Sequence, residues 1–326
     1  MSRLERAWFD GSRWPYSLLP FEFLFTRLAA RKRINDERQQ WQPPIPVIVV
    51  GNISVGGTGK TPFTLALINY LREQGYTPGV VSRGYKANPP STPYQVQASG
   101  AAELCGDEPL MMVQRSGVPL FIDPDRVNAC KALIQQTACD IIISDDGLQH
   151  YRMGRTIEIA VIDGVRGLGN QHCLPVGPLR EPVDRLNHVD MVVINGSPET
   201  AKGFQWEGAF SMKLKPSGLV SLADHSSVNI AQLSHQPVHA IAGIGNPARF
   251  FTSLRDQGCE VIEHCFNDHH QYTQEDITFG DGLPVIMTEK DAVKCRIFGG
   301  LTHTYYMPVD AILPSALYDQ INTLLN

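Results

Sequence analysis

Residues 51–63 read GNISVGGTGKTPF. The end of this stretch matches the phosphate-binding pattern G-x-x-x-x-G-K-[ST] at Gly59, Lys60 and Thr61. The leading position of the pattern is Ser54, where a glycine is expected. Because the glycines nearest the lysine are retained, we expect Ser54 to cost flexibility at the entrance of the loop and not where the phosphates lie.

The segments on either side of this loop favour nucleotide binding. The apolar, β-branched run IPVIVVGN before it is typical of a buried parallel strand. The residues after it place Phe63, Leu67, Ile68 and Leu71 at helical spacing, and Gly75 is positioned to end the helix. A strand, a glycine-rich turn and a helix in this order bring backbone N–H groups to a phosphate. Lys60 adds a positive charge for the phosphates, and Thr61 supplies a hydroxyl for Mg²⁺. The predicted nucleotide-binding residues are Ser54, Val55, Gly56, Gly57, Thr58, Gly59, Lys60 and Thr61.

Length and composition indicate a globular protein with one or two cores. The chain has 326 residues, of which 43% are apolar and 19% charged, and its net charge is −5. This charge, with no basic stripe, argues against nucleic acid as a partner. The seven cysteines are scattered and form no C-x-x-C pair, which favours reduced thiols over a zinc site or a disulfide framework.

The N-terminal segment WPYSLLPFEFLFTRLAARKR is apolar and aromatic, and then basic. Pro20, Glu22 and Arg27 interrupt it too often for a transmembrane span. If it forms a helix, one face carries Leu18, Phe21, Leu24, Phe25 and Leu28. This pattern predicts an amphipathic helix in the membrane interface, with packing on the protein's own core as the alternative.

Apolar strands alternate with helical segments along the rest of the chain. The pattern predicts an α/β protein with a P-loop NTPase-like, mostly parallel sheet covered by helices, and a second, smaller α/β domain. The polar stretch SPETAKGFQWEG suggests a boundary between the two. The predicted division is a membrane-associating segment at 1–35, a P-loop nucleotide-binding domain at 36–200 and a smaller domain at 201–326 that contributes to the active-site cleft.

Two sets of polar residues are candidates for the chemistry. Asp145 and Asp146 follow an apolar strand, at the sheet edge where Lys60 is also expected, and a Mg²⁺ ion with a nucleotide usually takes a carboxylate from such a position. CGDEP places Asp107 in what its glycine and proline indicate is a loop. Transfer of a phosphoryl group to an alcohol needs a group that accepts the hydroxyl proton.

Eight motifs in this order resemble the tetraacyldisaccharide 4′-kinase family of lipid A biosynthesis. They are VVGNISVGGTGKTP, VVSRGY, GDEPL, DDGLQHYR, LPVGPLREP, AGIGNPARFF, DHH and MTEKDAVKC. The family's loop also lacks the leading glycine, so Ser54 is a trait shared with the family. Val176 stands where alanine is expected in the fifth motif, a small departure.

The resemblance implies an ATP-dependent phosphotransferase that acts on the 4′-hydroxyl of an acylated glucosamine disaccharide 1-phosphate and forms lipid IVA. It implies Asp107 as the general base, assisted by His269, with Lys60 on the phosphates; His270 remains an alternative to His269. Thr61, Asp145, Asp146 and Glu181 would serve the metal, and Arg83, Gln149 and Arg180 are candidates for phosphate or substrate contacts. The expected setting is the cytoplasmic face of the bacterial inner membrane, with the protein a peripheral monomer.

A membrane-associated regulatory ATPase of the partitioning (SIMIBI) type is the alternative. Loops of that class read K-G-G-x-G-K-[ST], and the present loop differs from it only by Val55. That lysine reaches the nucleotide of a partner subunit, so its absence argues against this class.

Overall fold

The computed structural model describes residues 2–196 and 204–326. The predicted domain boundary at residue 200 lies outside these ranges. Nine α-helices occur in the described residues: α1 (Arg3–Ala7), α2 (Leu19–Arg38), α3 (Lys60–Glu73), α4 (Ala102–Cys105), α5 (Asp107–Ser116), α6 (Arg126–Gln136), α7 (Pro247–Asp256), α8 (Glu289–Cys295) and α9 (Ser315–Leu325).

The same ranges contain fifteen strands: β1 (Val47–Gly51), β2 (Pro78–Ser82), β3 (Tyr94–Gln95), β4 (Leu120–Ile122), β5 (Ile141–Asp145), β6 (Ile157–Asp163), β7 (Met191–Asn195), β8 (Phe210–Pro216), β9 (Leu219–Ser221), β10 (Ser227–Val228), β11 (Pro237–Ala242), β12 (Glu260–Cys265), β13 (Val285–Thr288), β14 (Thr304–Met307) and β15 (Val309–Ile312).

The larger sheet has nine strands in the order β15-β8-β7-β6-β1-β5-β2-β4-β3. Neighbouring strands from β8 to β4 pair in parallel, and the antiparallel pairs lie at the two edges. Every residue of β1, β2, β5 and β7 is buried, which explains why these strands read as continuous apolar runs. The predicted mostly parallel α/β sheet is therefore confirmed.

Helices cover both faces of this sheet. Ile48 and Val50 of β1 pack into a core that also contains residues of α3, α5 and α9. Val47 and Val49 point to the opposite face, where residues of α6 and the partly buried Phe25 of α2 pack. The alternation of β1 between the two cores follows from the period of two residues in a strand.

The smaller sheet has six strands in the order β10-β9-β14-β13-β11-β12. Its four strands β11 to β14 pair in parallel, and separate apolar cores lie around the residues of α7 and α8. The predicted second, smaller α/β unit is thus present.

The chain leaves and re-enters the larger sheet through an antiparallel pair, β8 with β15. The polar stretch after residue 197 predicted that residues 210–216 and 309–326 belong to the smaller unit, but pairing places β8 and β15 in the larger sheet. Leu317 and Ile321 of α9 are buried in the core beside α3. We therefore propose to count these segments with the larger unit, since their apolar side chains are buried there.

The N-terminal helix α2 docks on the protein with one side only. Its half-buried positions are Glu22, Phe25, Thr26, Ala29, Arg33 and Asp36. The predicted apolar stripe therefore does not stay together, because Phe25 packs on the core while Phe21, Leu24 and Leu28 face outward. Within the described residues, no helix combines the length and hydrophobicity needed to cross a bilayer.

Candidate functional site

The glycine-rich loop runs from the end of β1 into α3, as its sequence predicts. Gly59 precedes the first residue of the helix and has a φ of 92°, and Gly56 has a φ of 101°. A Cβ atom on Gly59 would lie 2.6 Å from Asn195 Nδ2. The loop therefore requires glycine here for its left-handed backbone and for the close approach of Asn195.

Position 54 does not require glycine, because Ser54 pairs with its neighbour as a strand residue does. It is buried and forms an antiparallel bridge with Leu179, and the Val55 N–H donates to the carbonyl of Pro178 over 2.9 Å. On the other side of the loop, Asn195 Nδ2 donates to the carbonyl of Thr58 over 3.0 Å. The segment around Leu179 thus fixes the loop entrance, where the sequence pattern has glycine.

The two aspartates at the end of β5 lie in opposite electrostatic environments. Lys60 Nζ lies 3.4 Å and Arg180 Nη1 3.0 Å from the carboxylate of Asp146. Burial opposes ionisation of Asp146, but these two cations outweigh it and lower its pKa to about 2. Burial raises the pKa of Asp145 to about 7, and the negative charges of Glu108 and Asp146 add to this rise. Asp146 also has a φ of 49°, an uncommon conformation for a non-glycine residue.

The carboxyl edge of the sheet has oxygen donors that suit a magnesium ion. Asp145 is buried, and its Oδ1 atom has no hydrogen-bond partner in the described residues. No group of three or more His, Cys, Asp or Glu side chains in the described ranges is placed to hold a metal alone. Mg²⁺ in phosphoryl transfer commonly takes one or two carboxylates and completes its shell with phosphate oxygens and water. The residues present therefore fit the ion only together with a nucleotide.

The remaining candidates on this side form a hydrogen-bonded chain. Gln149 Nε2 donates to Glu181 Oε2 over 2.6 Å, and Gln149 Oε1 lies 3.4 Å from Arg180 Nη1. The other oxygen of Glu181 accepts from the Tyr151 hydroxyl. Because both oxygens of Glu181 have partners, its contacts indicate a role in orienting Gln149 and Arg180. Arg83 is exposed just beyond β2.

Asp107 and His269 meet across the cleft between the two units. His269 Nδ1 lies 3.0 Å from Asp107 Oδ2, and Lys294 Nζ lies 3.7 Å from the same oxygen. Burial acts to raise the pKa of Asp107, but the hydrogen bond from His269 and the charges of Lys294 and Lys290 lower it overall. His270 points elsewhere, with its Nε2 atom 3.0 Å from Asp276.

The prediction that Asp107 lies in a loop is wrong. Asp107 is the first residue of α5, directly after Gly106, which has a φ of 87°. Proline is tolerated in the first turn of a helix, so Pro109 does not prevent it. Asp107 is consequently held by a rigid element.

Two lysines of α8 near Asp107 were not predicted. Lys290 Nζ lies 3.2 Å from Glu108 and 3.1 Å from Asp268, and the buried Lys294 lies 2.9 Å from Asp291. Both come from the motif MTEKDAVKC, where their spacing of four residues places them on one helix face. That spacing, next to an acidic partner, is the signal that was available in the sequence.

Comparisons with known proteins agree with this arrangement. A family model described as tetraacyldisaccharide-1-P 4′-kinase matches residues 14–326. The tetraacyldisaccharide 4′-kinase of Pseudomonas fluorescens (strain SBW25) is 49% identical over 320 residues, which cover 97% of this chain and 93% of that protein. The protein of the same name from Pseudomonas aeruginosa (strain LESB58) is 47% identical over 317 residues, covering 95% and 93% respectively.

A solved structure is similar over nearly the whole chain. It is the crystal structure of LpxK from Aquifex aeolicus in complex with ATP, with a TM-score of 0.81 and 26% sequence identity. The match covers 96% of this chain and 100% of that one.

Proposed function

This chain belongs to the tetraacyldisaccharide-1-P 4′-kinase family, and from that membership we propose the reaction it catalyses. The protein transfers the γ-phosphate of ATP to the 4′-hydroxyl of an acylated glucosamine disaccharide 1-phosphate, giving the 1,4′-bisphosphate. The relative of known structure binds ATP, which supports the nucleotide. The regulatory ATPase alternative lacks support, because Val55 stands where that class carries its lysine.

The nucleotide belongs on the glycine-rich loop. In this proposal the loop's N–H groups and Lys60 hold the phosphates, and Thr61 and Asp145 hold Mg²⁺. The ion, when bound, neutralises charge on the transferring phosphoryl group. Asp146 keeps Lys60 and Arg180 in place through the ion pairs at 3.4 and 3.0 Å. Arg83 is exposed at the same edge and is a candidate for a substrate phosphate.

Asp107 is placed to take the proton of the acceptor hydroxyl. Its Oδ2 atom is occupied by His269 and Lys294, which leaves Oδ1 for the hydroxyl. A carboxylate with a lowered pKa is ionised but weakly basic, so it needs assistance in removing a proton from an alcohol. His269 assists by fixing the orientation of the carboxylate through the contact of Nδ1 with Oδ2, and the hydroxyl proton passes to Oδ1 as the new O–P bond forms and makes that hydroxyl acidic. The contact between Asp107 and His269 is the observation that carries this role.

The acceptor is a lipid, so the enzyme must work at a membrane surface. Withdrawing acyl chains into water costs about 0.8 kcal/mol for each CH₂ group. The outward side of α2 offers Phe21, Phe23, Leu24 and Leu28, whose exposures are 61%, 60%, 55% and 55%. Arg27 lies over the Phe23 ring at 4.4 Å and Arg31 follows, which suits anionic lipid head groups. We place the protein at the cytoplasmic face of the inner membrane, where ATP is available.

One chain supplies all the residues assigned above, so we propose that the active form is a monomer. The two units each contribute one half of the Asp107–His269 contact. Light scattering of the active protein in detergent tests this point, and activity confined to a dimer would contradict it.

Incubation with radiolabelled ATP and the acylated disaccharide 1-phosphate in detergent micelles tests the reaction. Label should appear in the lipid extract. Lys60→Ala should reduce the rate of labelling by about 100-fold or more, because the positive charge that stabilises the transferring phosphoryl group is removed. Lys213→Ala, which removes an exposed lysine from β8, is the matched control and should be unaffected. ATP hydrolysis without a labelled lipid would support the regulatory ATPase instead.

A further inference from the structure

Glu22 is a carboxylate at the start of the apolar helix α2 that points into the protein. Its side chain is 15% exposed, whereas the neighbouring Phe21 and Phe23 are about 60% exposed. It accepts a hydrogen bond from the Cys173 N–H over 2.6 Å and lies 2.9 Å from His172 Nδ1. A carboxylate beside lipid-facing side chains is costly unless it is paired, and these two partners satisfy it.

The partners of Glu22 begin a compact loop, residues 172–180, which is tied to itself at several points. The Leu174 N–H donates to the Leu179 carbonyl over 2.8 Å, and the Leu179 N–H donates to the His172 carbonyl over 3.1 Å. The Gly177 N–H donates to the Cys173 carbonyl over 2.9 Å. A Cβ atom on Gly177 would lie 2.3 Å from the His172 carbonyl oxygen, so the loop is also closely packed. Because the residues of this loop are bonded and packed together, a shift of His172 and Cys173 at one end also shifts Leu179 and Arg180 at the other.

The far end of this loop holds the entrance of the phosphate loop. Leu179 pairs with Ser54, the Pro178 carbonyl accepts from the Val55 N–H, and the Arg180 N–H donates to the Ile53 carbonyl over 2.6 Å. The side chain of Arg180 then reaches Asp146. A set of hydrogen bonds therefore connects Glu22 on α2 to the entrance of the phosphate loop and to Asp146.

We propose that Glu22 is a positioning residue that couples attachment of α2 to a lipid surface with ATP binding. Attachment restrains α2, and through Glu22 it restrains residues 172–180 and the entrance of the phosphate loop. ATP then binds to a loop that is already ordered, so its affinity rises. The inference rests on the proposed function, since it takes α2 as the membrane contact and the glycine-rich loop as the ATP site.

The test measures binding of a fluorescent ATP analogue to the full chain with and without vesicles of phosphatidylethanolamine and phosphatidylglycerol. In the wild type we expect the vesicles to tighten ATP binding by about fivefold or more, and ATP to tighten vesicle binding by the same factor. A wild type that binds both ligands independently overturns the coupling and leaves the proposed function intact. A wild type that does not bind vesicles overturns the proposed membrane contact together with the coupling.

Variants at two positions of α2 separate coupling from general damage. Glu22→Ala removes both hydrogen bonds and should abolish the vesicle effect on ATP binding, while vesicle affinity without ATP stays within about twofold, since Phe21 and Phe23 remain. Glu22→Gln keeps an acceptor for the Cys173 N–H and should restore most of the effect. Glu37→Ala removes an exposed carboxylate whose one ion-pair partner in the described part of the chain is Arg33 on the same helix, and it should behave as wild type.

The steady-state signature follows from the same model. In Glu22→Ala we expect KM for ATP to rise at the vesicle surface with kcat nearly unchanged, whereas a general loss of folding would lower kcat as well. The proposal is overturned if vesicles still tighten ATP binding to Glu22→Ala as strongly as to the wild type. It is also overturned if Glu37→Ala loses this effect of the vesicles.

Discussion

At the scale of the residue, the carboxylates of the cleft divide according to their neighbours. Asp146 has two cations within 3.4 Å and a pKa lowered to about 2, whereas the buried Asp145 next to it has a pKa raised to about 7. Asp107 stays ionised because His269 and two lysines outweigh its burial. Adjacent groups of the same chemical type are thus prepared for different roles.

Asp145 should make the stability of the ligand-free protein depend on pH. Its folded pKa of about 7 exceeds the value of about 3.9 for an unfolded aspartate. Below the unfolded pKa, Asp145 is protonated in both states and does not change the free energy of unfolding. As the pH rises from about 3.9 to about 7, the unfolded chain loses this proton first, so the folded state becomes less stable. Above pH 7 the carboxyl is ionised in both states and the destabilisation is complete. Asp145→Asn should therefore add up to about 4 kcal/mol to the free energy of unfolding at pH 8 and far less at pH 4.

Urea unfolding of wild type and Asp145→Asn across this pH range gives the comparison. Asp319→Asn, at an exposed position of α9 whose side chain has no polar partner in the described residues, is the control and should show no such trend. A difference between Asp145→Asn and wild type that stays constant with pH would show that the pKa of Asp145 is the same in the folded and unfolded states.

Asp107 and His269 should act as one unit. Removal of either one leaves the other without its partner at 3.0 Å, so their losses should not add. We expect Asp107→Ala and the double variant Asp107→Ala/His269→Ala to lose kcat by similar factors, with ATP binding retained. Single-turnover kinetics measures this.

His270→Ala is the matched control for the dyad, because His270 pairs with Asp276 and not with Asp107. It should retain activity close to wild type. Multiplicative losses in the double variant would leave Asp107 at most an independent base, and a large loss in His270→Ala alone would move the assisting role to that residue.

At the scale of the element, the glycines of the phosphate loop are not equivalent. Gly59 has a φ of 92° and a Cβ atom there meets Asn195 at 2.6 Å, whereas a Cβ atom on Gly57 has no atom of the described residues within 4 Å apart from its chain neighbours. Gly59→Ala should therefore destabilise the fold by about 1–2 kcal/mol from the backbone alone, with crowding in addition. Gly57→Ala is the control and should change stability by less than about 0.5 kcal/mol. Equal denaturation midpoints for the two variants would contradict the role of the left-handed backbone.

The elements themselves were largely predictable, and their exceptions have physical reasons. Buried parallel strands such as β1 and β5 read as continuous apolar runs, so their sequence identifies them. The start of α5 at Asp107 was missed because Gly106 and Pro109 also occur in loops. The contacts of Lys290 and Lys294 depend on how α8 approaches α5 across the cleft, and no local pattern encodes that approach.

At the scale of the whole molecule, the two units are joined by ion pairs close to the contact between Asp107 and His269. Besides Asp107 with His269, Arg115 of α5 lies 2.9 Å from Glu289 of α8, and Lys290 lies 3.2 Å from Glu108. Arg249 of α7 also reaches Asp163 at the end of β6 over 3.4 Å. Charged contacts at several positions therefore connect the larger unit with the smaller one.

The orientation of α2 predicts which face of the molecule meets the lipid. Its docked side contains Phe25, while Phe21 and Leu24 are turned away from the protein. Phe21→Asp/Leu24→Asp should release the protein from vesicles that contain anionic lipid, because two apolar side chains are replaced by charges that anionic lipid repels. Neither residue is buried, so the denaturation midpoint should stay close to that of the wild type.

Vesicle co-sedimentation measures this release, and Ile297→Asp provides the comparison. Ile297 is 73% exposed and follows α8 in the smaller unit, so its replacement adds a charge to an exposed apolar position while the sequence of α2 is unchanged. Co-sedimentation should fall for the α2 variant and persist for Ile297→Asp. If both variants are released equally, net charge controls binding and α2 has no special role; if neither is released, another surface contacts the lipid. Phosphorylation of the lipid in detergent micelles should survive in a folded α2 variant, since Lys60, Asp107 and His269 are unchanged, and this separates delivery to the membrane from the chemical step.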